Sequence, residues 1–478
     1  MRRTKIIATL GPSTNDPDTL KELISAGVDV VRINFSHGNW QDHERQIEAV
    51  RSTAAELGRA VAVLGDLQGP KIRINRFRNG PVNLREGEDF ALDAALDPEA
   101  GDEKEVGVAY KDLARDLVSG DALLLDDGNI VLEVQAIKGE RIECRVKVGG
   151  ELGDNKGINR QGGGLSAPAL TEKDLQDIEL AAKAKVDWLA VSFVSKADDV
   201  KKARKHLKAA GGRGYIVAKI ERAEAMDNLT TIIDASDAVM VARGDLGVEM
   251  GYAGLAGFQK RIIRLTRLRH KVSITATQMM ESMIDNQMPT RAEVSDVANA
   301  VMDGTDAVML SAETAIGKYP VKAVTAMADV CIGAEAYHQS VSRMSRHRMD
   351  DRFSAVDEAI AMAVMYTANH LDVQAIIALT ESGSTALWLS RIRSDIPIFA
   401  FTRHELTQRR VVLYRGVYPV AFDVTHHTST KAVFEDVSSL LIGLGHVKAG
   451  DLVIMTKGQL EGVSGATNEM RILRVTGQ

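Results

Sequence analysis

Three runs decide the fold: WLAVSFV (188–194), YIVAKIE (215–221) and AVMVARG (238–244), which start 27 and 23 residues apart. Each is short, rich in β-branched residues, and ends in polar or charged side chains. A helical pattern such as ADDVKKARKHLKAAG (197–211) fills the gap between neighbouring runs. This alternation predicts parallel strands joined by helical crossovers.

Outward from this centre, the same pattern continues in both directions. Five further runs are KIIATLG (5–11), VVRINFS (30–36), VAVLGDL (61–67), VSITATQ (272–278) and AVMLSAE (307–313). Eight strand–helix units predict an α/β fold, a closed (β/α)8 TIM barrel whose active site lies at the carboxyl ends of the strands.

The spacing of the runs locates an insertion. The starts at 61 and 188 are 127 residues apart, whereas the other gaps are 23 to 35 residues. The excess, 71–157, contains short strand-like pieces broken by Gly-containing turns and predicts a small β-barrel lid domain. The barrel then comprises 1–70 and 158–340, and a second αβ series predicts an open α/β regulatory domain over 354–478.

Composition excludes several classes of protein. The 478 residues are 45% hydrophobic and carry a net charge of -6, so they offer no broad basic field for nucleic acid or an anionic membrane. The two cysteines lack metal-ligand spacing, and no apolar stretch approaches the length of a membrane span. We therefore expect a cytoplasmic protein with neither nucleic-acid nor membrane partners.

Polar side chains stand at the ends of nearly all the predicted strands. Alternate residues of a strand share a face. The residues concerned are Arg32, Asn34 and Ser36, Asp66, Lys219 and Glu221, Asp245, Thr277, and Ser311 and Glu313. One such charge is usually a solvated terminus, but the recurrence favours a catalytic mouth.

Glu221 and Asp245 end neighbouring strands, and carboxylates are the ligands that Mg²⁺ or Mn²⁺ prefers. The alternative is a Lys219–Glu221 ion pair inside the barrel. Backbone amides in the turn at Gly244 and Asp245 suit a substrate carboxylate or phosphate, although such a turn also occurs by chance.

Two arginines and a histidine suit phosphate or nucleotide contacts. Arg32 and Arg73 carry guanidiniums fitted to bidentate phosphate binding, and His37 follows the second run. No P-loop pattern is present, and the glycine-rich segment 162–167 has no strand before it, which argues against a dinucleotide site.

In the C-terminal domain, Thr380-Glu381-Ser382-Gly383-Ser384-Thr385 joins a predicted strand to a predicted helix. Hydroxyls and backbone amides at a helix start form a good phosphate site. An ordinary Ser/Thr helix cap explains the segment equally well.

Longer motifs carry a family resemblance. They are TKIIATLGPS (4–13), VVRINFSHG (30–38), KIERAEA (219–225), VMVARGDLGVE (239–249), ATQMMESM (276–283), PTRAEVSDVANAV (289–301) and DGTDAVMLSAETAIGKYP (303–320). The chain resembles the pyruvate kinase family essentially end to end. The resemblance implies a (β/α)8 barrel with an inserted lid and a regulatory C-terminal domain, a homotetramer, and phosphoryl transfer from phosphoenolpyruvate to ADP, giving pyruvate and ATP.

The resemblance also implies roles for individual residues. Glu221 and Asp245 match the divalent-metal ligands, and Lys219 matches the lysine that stabilises the transferring phosphoryl group and the enolate. Arg32 matches the phosphate-holding arginine, the amides at Gly244 and Asp245 match the carboxylate pocket, and Thr277 matches a threonine that helps protonate the enolate. The nucleotide side is matched by Pro12, Asn34, His37, Arg73 and, from the lid, Lys156.

One departure from the family pattern concerns potassium. Potassium-requiring members have Thr and Glu where this chain has Leu67 and Lys71, so it resembles bacterial members that need no K⁺. Our hypothesis is that the Lys71 ammonium replaces K⁺, with Asn34, Ser36 and Asp66 as the remnant of the cation site.

The segment 380–385 matches the phosphate loop of the family's allosteric site, which implies activation by a phosphorylated metabolite. Two other functions remain open at the level of the sequence. A metal-dependent pyruvate or oxaloacetate lyase would also use a carboxylate pair on such a barrel. A metabolite sensor on an inactive barrel would not need Lys219, Glu221 and Asp245, all of which are present.

Overall fold

The computed structural model describes residues 1–341, 353, 355–392, 394–427, 429–458 and 467–476. The chain begins with two strand–helix units and a third strand, all of which belong to the barrel. These elements are β1 (Lys5–Thr9), α1 (Pro17–Ser25), β2 (Val30–Asn34), α2 (Trp40–Glu56) and β3 (Ala62–Asp66). Side-chain caps from Asp16 and Asn39 start the two helices.

The insertion follows β3. Its elements are β4 (Val82–Leu84), β5 (Asp89–Asp93), β6 (Glu105–Gly107), α3 (Leu113–Asp116), β7 (Ala122–Leu125), β8 (Ile130–Lys138), β9 (Arg141–Val148), β10 (Gly150–Leu152) and β11 (Ile158–Arg160). They form a six-stranded sheet, in the order β11-β7-β8-β9-β5-β6, and a two-stranded sheet of β10 and β4. The pairing is antiparallel except between β5 and β6, and one hydrophobic core fills the domain.

The sheet of the insertion extends past the predicted boundary at residue 158. Ile158–Arg160 pairs antiparallel with Leu123–Leu125, and Leu165 and Ala167 are buried in the core of the insertion. The sequence pattern missed this because three residues are too few to show an alternation. The expectation that no strand precedes the glycine-rich segment 162–167 is therefore wrong.

The chain then completes the barrel. Its elements are α4 (Glu172–Lys183), β12 (Trp188–Val191), α5 (Ala197–Ala209), β13 (Tyr215–Ile220), α6 (Ala223–Asp227), α7 (Leu229–Ala235), β14 (Ala238–Ala242), α8 (Arg243–Met250), α9 (Leu255–Leu268), β15 (Val272–Ala276), α10 (Arg291–Asp303), β16 (Ala307–Leu310), α11 (Ala312–Ala315) and α12 (Pro320–Val341). β3 pairs with β12 across the insertion, and β1 pairs with β16 to close the ring. The predicted eight-stranded parallel barrel is confirmed.

The C-terminal part is an open α/β domain, as predicted. Its elements are α13 (Val356–His370), β17 (Val373–Leu379), α14 (Ser384–Arg391), β18 (Ile398–Thr402), α15 (Glu405–Val411), β19 (Val417–Ala421), α16 (Thr430–Gly443), β20 (Leu452–Gly458) and β21 (Thr467–Arg474). The strand order is β19-β18-β17-β20-β21, with only β21 antiparallel. Most of the predicted link between the domains, 341–353, lies outside the described residues.

The C-terminal domain seals the floor of the barrel, at the amino ends of its strands. Residues inside the barrel, such as Leu64 and Trp188, share one hydrophobic core with Leu389 and Tyr414 of the C-terminal domain. The mouth of the barrel, at the opposite end, is therefore the face left for chemistry. No helix in the described part of the chain is long and apolar enough to cross a membrane.

Buried ion pairs join the C-terminal domain to the amino end of the barrel. Asp306, which precedes β16, binds the Arg391 guanidinium, and both side chains are no more than 3% exposed. Asp187, which precedes β12, accepts from Arg409 Nε at 2.9 Å and from Arg51 at 2.6 Å. A buried charge is tolerated only when it is paired, so these contacts fix how the domain sits on the barrel.

We predict that Asp306→Asn lowers the melting temperature by several degrees. Losing one partner of a buried pair costs about 3–5 kcal/mol, because the other charge stays buried. The matched control is Asp285→Asn, since Asp285 pairs with Lys318 at the surface, where both side chains are more than 60% exposed. Thermal unfolding followed by circular dichroism measures both variants, and equal shifts would contradict the prediction.

Candidate active site

Asp66, at the end of β3, is the centre of the barrel mouth. Its carboxylate is 1% exposed, accepts from Arg32 Nε at 2.6 Å and lies 3.3 Å from Lys219 Nζ. Burial alone would raise the pKa of Asp66, but Lys219 and Arg32 outweigh it and hold this pKa below its usual range. The strands β2, β3 and β13 thus contribute one charge each to a single buried cluster.

Lys219 links this cluster to the predicted metal ligand. Its ammonium lies 2.9 Å from Glu221 Oε1 and donates to Ser192 Oγ at 2.7 Å. Burial opposes its charged form, but Asp66 and Glu221 raise the pKa of Lys219 above the usual lysine range. The lysine therefore remains a cation within the mouth of the barrel.

The carboxylates of Glu221 and Asp245, the predicted metal ligands, lie close enough for their charges to interact. Burial, opposed by Lys219 and reinforced by Asp245, raises the pKa of Glu221 above the usual glutamate range. The backbone N–H of Phe193 donates to Glu221 Oε2 at 2.6 Å and orients the carboxylate. Within the described residues, no group of three or more His, Cys, Asp or Glu is arranged to hold a metal ion.

The next two strand ends carry an unusual backbone. The Gly244 N–H, at the start of α8, donates to Thr277 Oγ1 at 2.9 Å. Thr277 and Gln278 have φ of 67° and 52°, which is rare for residues with a side chain. Arg243 holds this turn by donating to Thr277 O at 2.6 Å and to Gln278 O at 3.1 Å. Asp245, Gly244 and Thr277 line one cavity of about 240 Å³.

The structure does not bring Lys71 to the predicted cation remnant. Its ammonium donates to Asp245 Oδ1 at 3.2 Å and lies 3.8 Å from Asp127 of the lid. Arg32 and Lys219 each pair with one carboxylate oxygen of Asp66, so the negative charge of Asp66 is already balanced without a third cation. Asn34 Oδ1 instead accepts the Ser36 N–H at 3.1 Å.

The nucleotide residues divide into two groups. Pro12, Asn34 and His37 line one cavity of about 810 Å³ between the barrel mouth and helices α1 and α2. Arg73 and Lys156 do not line it. Arg73 donates to Asn155 O at 2.9 Å, and Lys156 lies 2.7 Å from Asp126, so both contact the lid itself.

In the C-terminal domain the segment 380–385 forms a tight turn before α14. Gly383 has φ of 87° and its N–H donates to Thr380 Oγ1 at 2.9 Å. Gly383 itself is the cap residue of α14, and the Ser382 hydroxyl accepts the Ser384 N–H at 3.4 Å, so Ser and Thr side chains also take up amides at this helix start. Arg403 lies 3.5 Å from Glu381, which places a cation beside the turn.

Sequence reasoning missed two residues of the mouth. Ser192 bridges Lys219 and the Leu67 carbonyl, and its alternation with Trp188 and Ala190 could have revealed it. Glu249, 4% exposed, contacts both the barrel and the lid, and burial raises its pKa to about 7. No spacing rule distinguishes Glu249 from an ordinary helical glutamate.

Known proteins resemble this chain along its whole length. The family pattern described as pyruvate kinase, barrel domain, matches residues 1–324, and pyruvate kinase, alpha/beta domain, matches residues 358–473. Pyruvate kinase II of Salmonella typhimurium is 55% identical over 99% of both chains. Pyruvate kinase of Buchnera aphidicola subsp. Schizaphis graminum is 52% identical over 100% of this chain and 99% of its own. Pyruvate kinase of Haemophilus influenzae is 52% identical over 96% of both chains.

These matches place the chain among phosphotransferases built on a (β/α)8 barrel. It belongs to the pyruvate kinase family, as its motifs predict. Family membership implies phosphoenolpyruvate and ADP as substrates, pyruvate as a product and a divalent metal as cofactor.

We predict that Lys219→Met abolishes phosphoryl transfer while the fold is retained. Methionine keeps much of the side-chain volume but removes the cation that lies between Asp66 and Glu221. The matched control is Lys5→Met, a lysine buried at the opposite end of the barrel, where it donates to Val417 O at 2.6 Å. Turnover per folded molecule should survive in Lys5→Met only, and near-normal turnover in Lys219→Met would refute the assigned role.

Proposed function

We propose that the chain catalyses Mg²⁺- or Mn²⁺-dependent transfer of the phosphoryl group of phosphoenolpyruvate to ADP, as a glycolytic enzyme of the cytoplasm. The carrying observation is the cluster in which Lys219 stands between the buried carboxylates of Asp66 and Glu221. It places fixed charges of both signs where a phosphoryl group and a metal would meet. Phosphoryl transfer depends on such positioning and charge more than on covalent catalysis.

The two cations hold the phosphoryl group in this proposal. Arg32 is fixed by Asp66 and by its 3.2 Å hydrogen bond to Thr9 Oγ1, so its remaining N–H groups have a set direction. Lys219 lies on the other side of Asp66 and spreads positive charge over the transferring oxygens and the developing enolate. Glu221 and Asp245 would hold the divalent metal, which would add positive charge near the transferring phosphoryl group.

The rest of the substrate fits the strained turn. The amides at Gly244 and Asp245, at the start of α8, suit the substrate carboxylate once the Gly244 N–H turns from Thr277 Oγ1 to the substrate. Thr277 Oγ1, which accepts from the Gly244 N–H, directs its own O–H to Ala276 O at 2.6 Å. Through ordered water, Thr277 helps deliver the proton that converts the enolate to pyruvate.

The nucleotide enters from the cavity lined by Pro12, Asn34 and His37. Arg73 and Lys156, which belong to the lid side, reach its phosphates when the lid closes over the mouth. Closure excludes water, which would otherwise compete for the phosphoryl group. This role for the lid accounts for the separation of the two groups of nucleotide residues.

Pyruvate formation from phosphoenolpyruvate and Mg²⁺, with and without ADP, tests this function. The expected result is turnover only with ADP. Pyruvate formation from oxaloacetate in the absence of ADP would favour the lyase instead. No turnover in either assay, even with a phosphorylated sugar or nucleoside monophosphate added, would refute the kinase.

We also propose that the enzyme needs no K⁺. Leu67 is 2% exposed and packs in the hydrophobic core between barrel and helices, so its side chain offers no oxygen ligand. Lys71 supplies a fixed positive charge at the mouth, next to Asp245. Lys71 lies outside the site of Asn34, Ser36 and Asp66, so it replaces the charge of a monovalent cation and not its position. Arg32 and Lys219 supply the remaining positive charge.

Activity should therefore be equal within about twofold in potassium chloride and in tetramethylammonium chloride at the same ionic strength. Lys71→Glu should lose most of its activity without K⁺, because a negative charge then faces Asp245. Lys318→Glu, a change of the same charge at the surface, is the control. A large activation of the unmodified enzyme by K⁺ would refute the proposal.

We also propose that the enzyme is a homotetramer, as the family resemblance implies. A further proposal is an allosteric phosphate site in the C-terminal domain. The turn formed by Thr380, Ser382, Gly383, Ser384 and Thr385 presents hydroxyls and amides at the start of α14, with Arg403 close by. We expect a phosphorylated sugar or nucleoside monophosphate to lower the phosphoenolpyruvate concentration for half-maximal rate. Gly383→Asp should abolish this response while basal turnover persists, and an unchanged response would refute the site.

A further inference from the structure

The segment by which the chain returns from the lid to the barrel is unusually shaped. Gly162, Gly163 and Gly164 have φ of 81°, 80° and 94°, a run that favours glycine at every position. A Cβ on Gly163 would lie 2.8 Å from Glu224 Oε1 and 2.9 Å from Ala223 Cβ. The segment 159–167 is therefore pressed closely against the barrel at this point.

The first contact is with the segment that follows the metal ligand Glu221. Arg222, 5% exposed, donates to Leu165 O at 3.2 Å and to Ala167 O at 3.3 Å. The Gly164 N–H donates to the Glu224 carboxylate. The side chains of Arg222 and Glu224, on either side of Ala223, thus both bind the return segment.

The second contact comes from α8, the short helix that carries the other metal ligand, Asp245. Glu249 Oε2 accepts the Ala223 N–H at 2.9 Å, and Glu249 Oε1 accepts from Asn159 Nδ2, on β11 of the lid, at 3.4 Å. The Glu249 carbonyl accepts the Gly162 N–H at 2.9 Å. One residue therefore joins both ligand-bearing segments to the lid.

We propose that Glu249 is a positioning residue that couples the lid to the carboxylate pair Glu221 and Asp245. The inference rests on the proposed metal role of that pair. Glu249 lies one helical turn after Asp245, and its partner Ala223 lies two residues after Glu221. A shift of Asn159 on the lid strand is therefore transmitted to both metal ligands, and their spacing is transmitted back to the lid.

The side-chain chemistry limits what can replace Glu249. Alanine leaves the Ala223 N–H without its acceptor in a buried place and releases Asn159. Glutamine keeps an acceptor for Ala223, and a rotation of the Asn159 amide then presents its oxygen to the new N–H₂ group. Glutamine should therefore restore the coupling that alanine removes, without a charge.

The test uses Mn²⁺ alone as the probe on the full-length protein, with the free ion measured by electron paramagnetic resonance. Glu249→Ala should weaken Mn²⁺ binding about tenfold or more, the usual effect of losing a partner that orients metal ligands. Glu249→Gln should stay within about threefold of the unmodified protein. Glu335→Gln is the control, because Glu335 is equally buried but binds Arg3 and Thr4 at the barrel floor.

Hydrogen exchange of residues 158–167 gives a second measure that does not depend on activity. Glu249→Ala and Asn159→Ala should both speed exchange there, and the double variant should add little to either one. Asn159→Ala also serves if Glu249→Ala does not fold.

Two outcomes are distinguishable as refutations. If the unmodified protein binds Mn²⁺ but Glu249→Ala binds it equally well with unchanged exchange, the coupling is refuted and the proposed function stands. If the unmodified protein binds no Mn²⁺, the proposed metal role fails, and the coupling fails with it.

Discussion

The mouth of the barrel depends on one buried carboxylate. Asp66 is almost inaccessible to water and is neutralised by Arg32 and Lys219, which come from strands on either side of the insertion. A buried charge of this kind is tolerated only when groups of opposite charge are paired with it. The pairing that lets this charge be buried therefore also fixes the positions of two cations, Arg32 and Lys219, at the mouth of the barrel.

The parts of this arrangement that repeat could be predicted from the sequence. Eight runs of one kind gave the barrel, and alternation along a strand put Arg32 with Asn34, and Lys219 with Glu221, on shared faces. The extra length before the fourth run located the insertion. The motif around Lys219 predicted a role for this lysine in phosphoryl transfer.

Contacts between distant, irregular segments could not be predicted. The position of Lys71 depends on which carboxylates are already paired, and no pattern along the chain records that competition. The strand 158–160 is too short to show a period, and Glu249 looks like any glutamate on a helix until Asn159 and Ala223 are brought to it. In each case three-dimensional neighbours decide the outcome.

The pairing of β3 with β12 across the insertion has a consequence for how the chain folds. When β3 leaves the ribosome, its parallel partner, more than 120 residues later, has not been synthesised. The insertion has its own hydrophobic core and can collapse first, which shortens the effective loop to be closed. A lid that folds during synthesis would therefore keep β3 close to the point where the chain leaves the lid. β12 would then form near the strand with which it pairs.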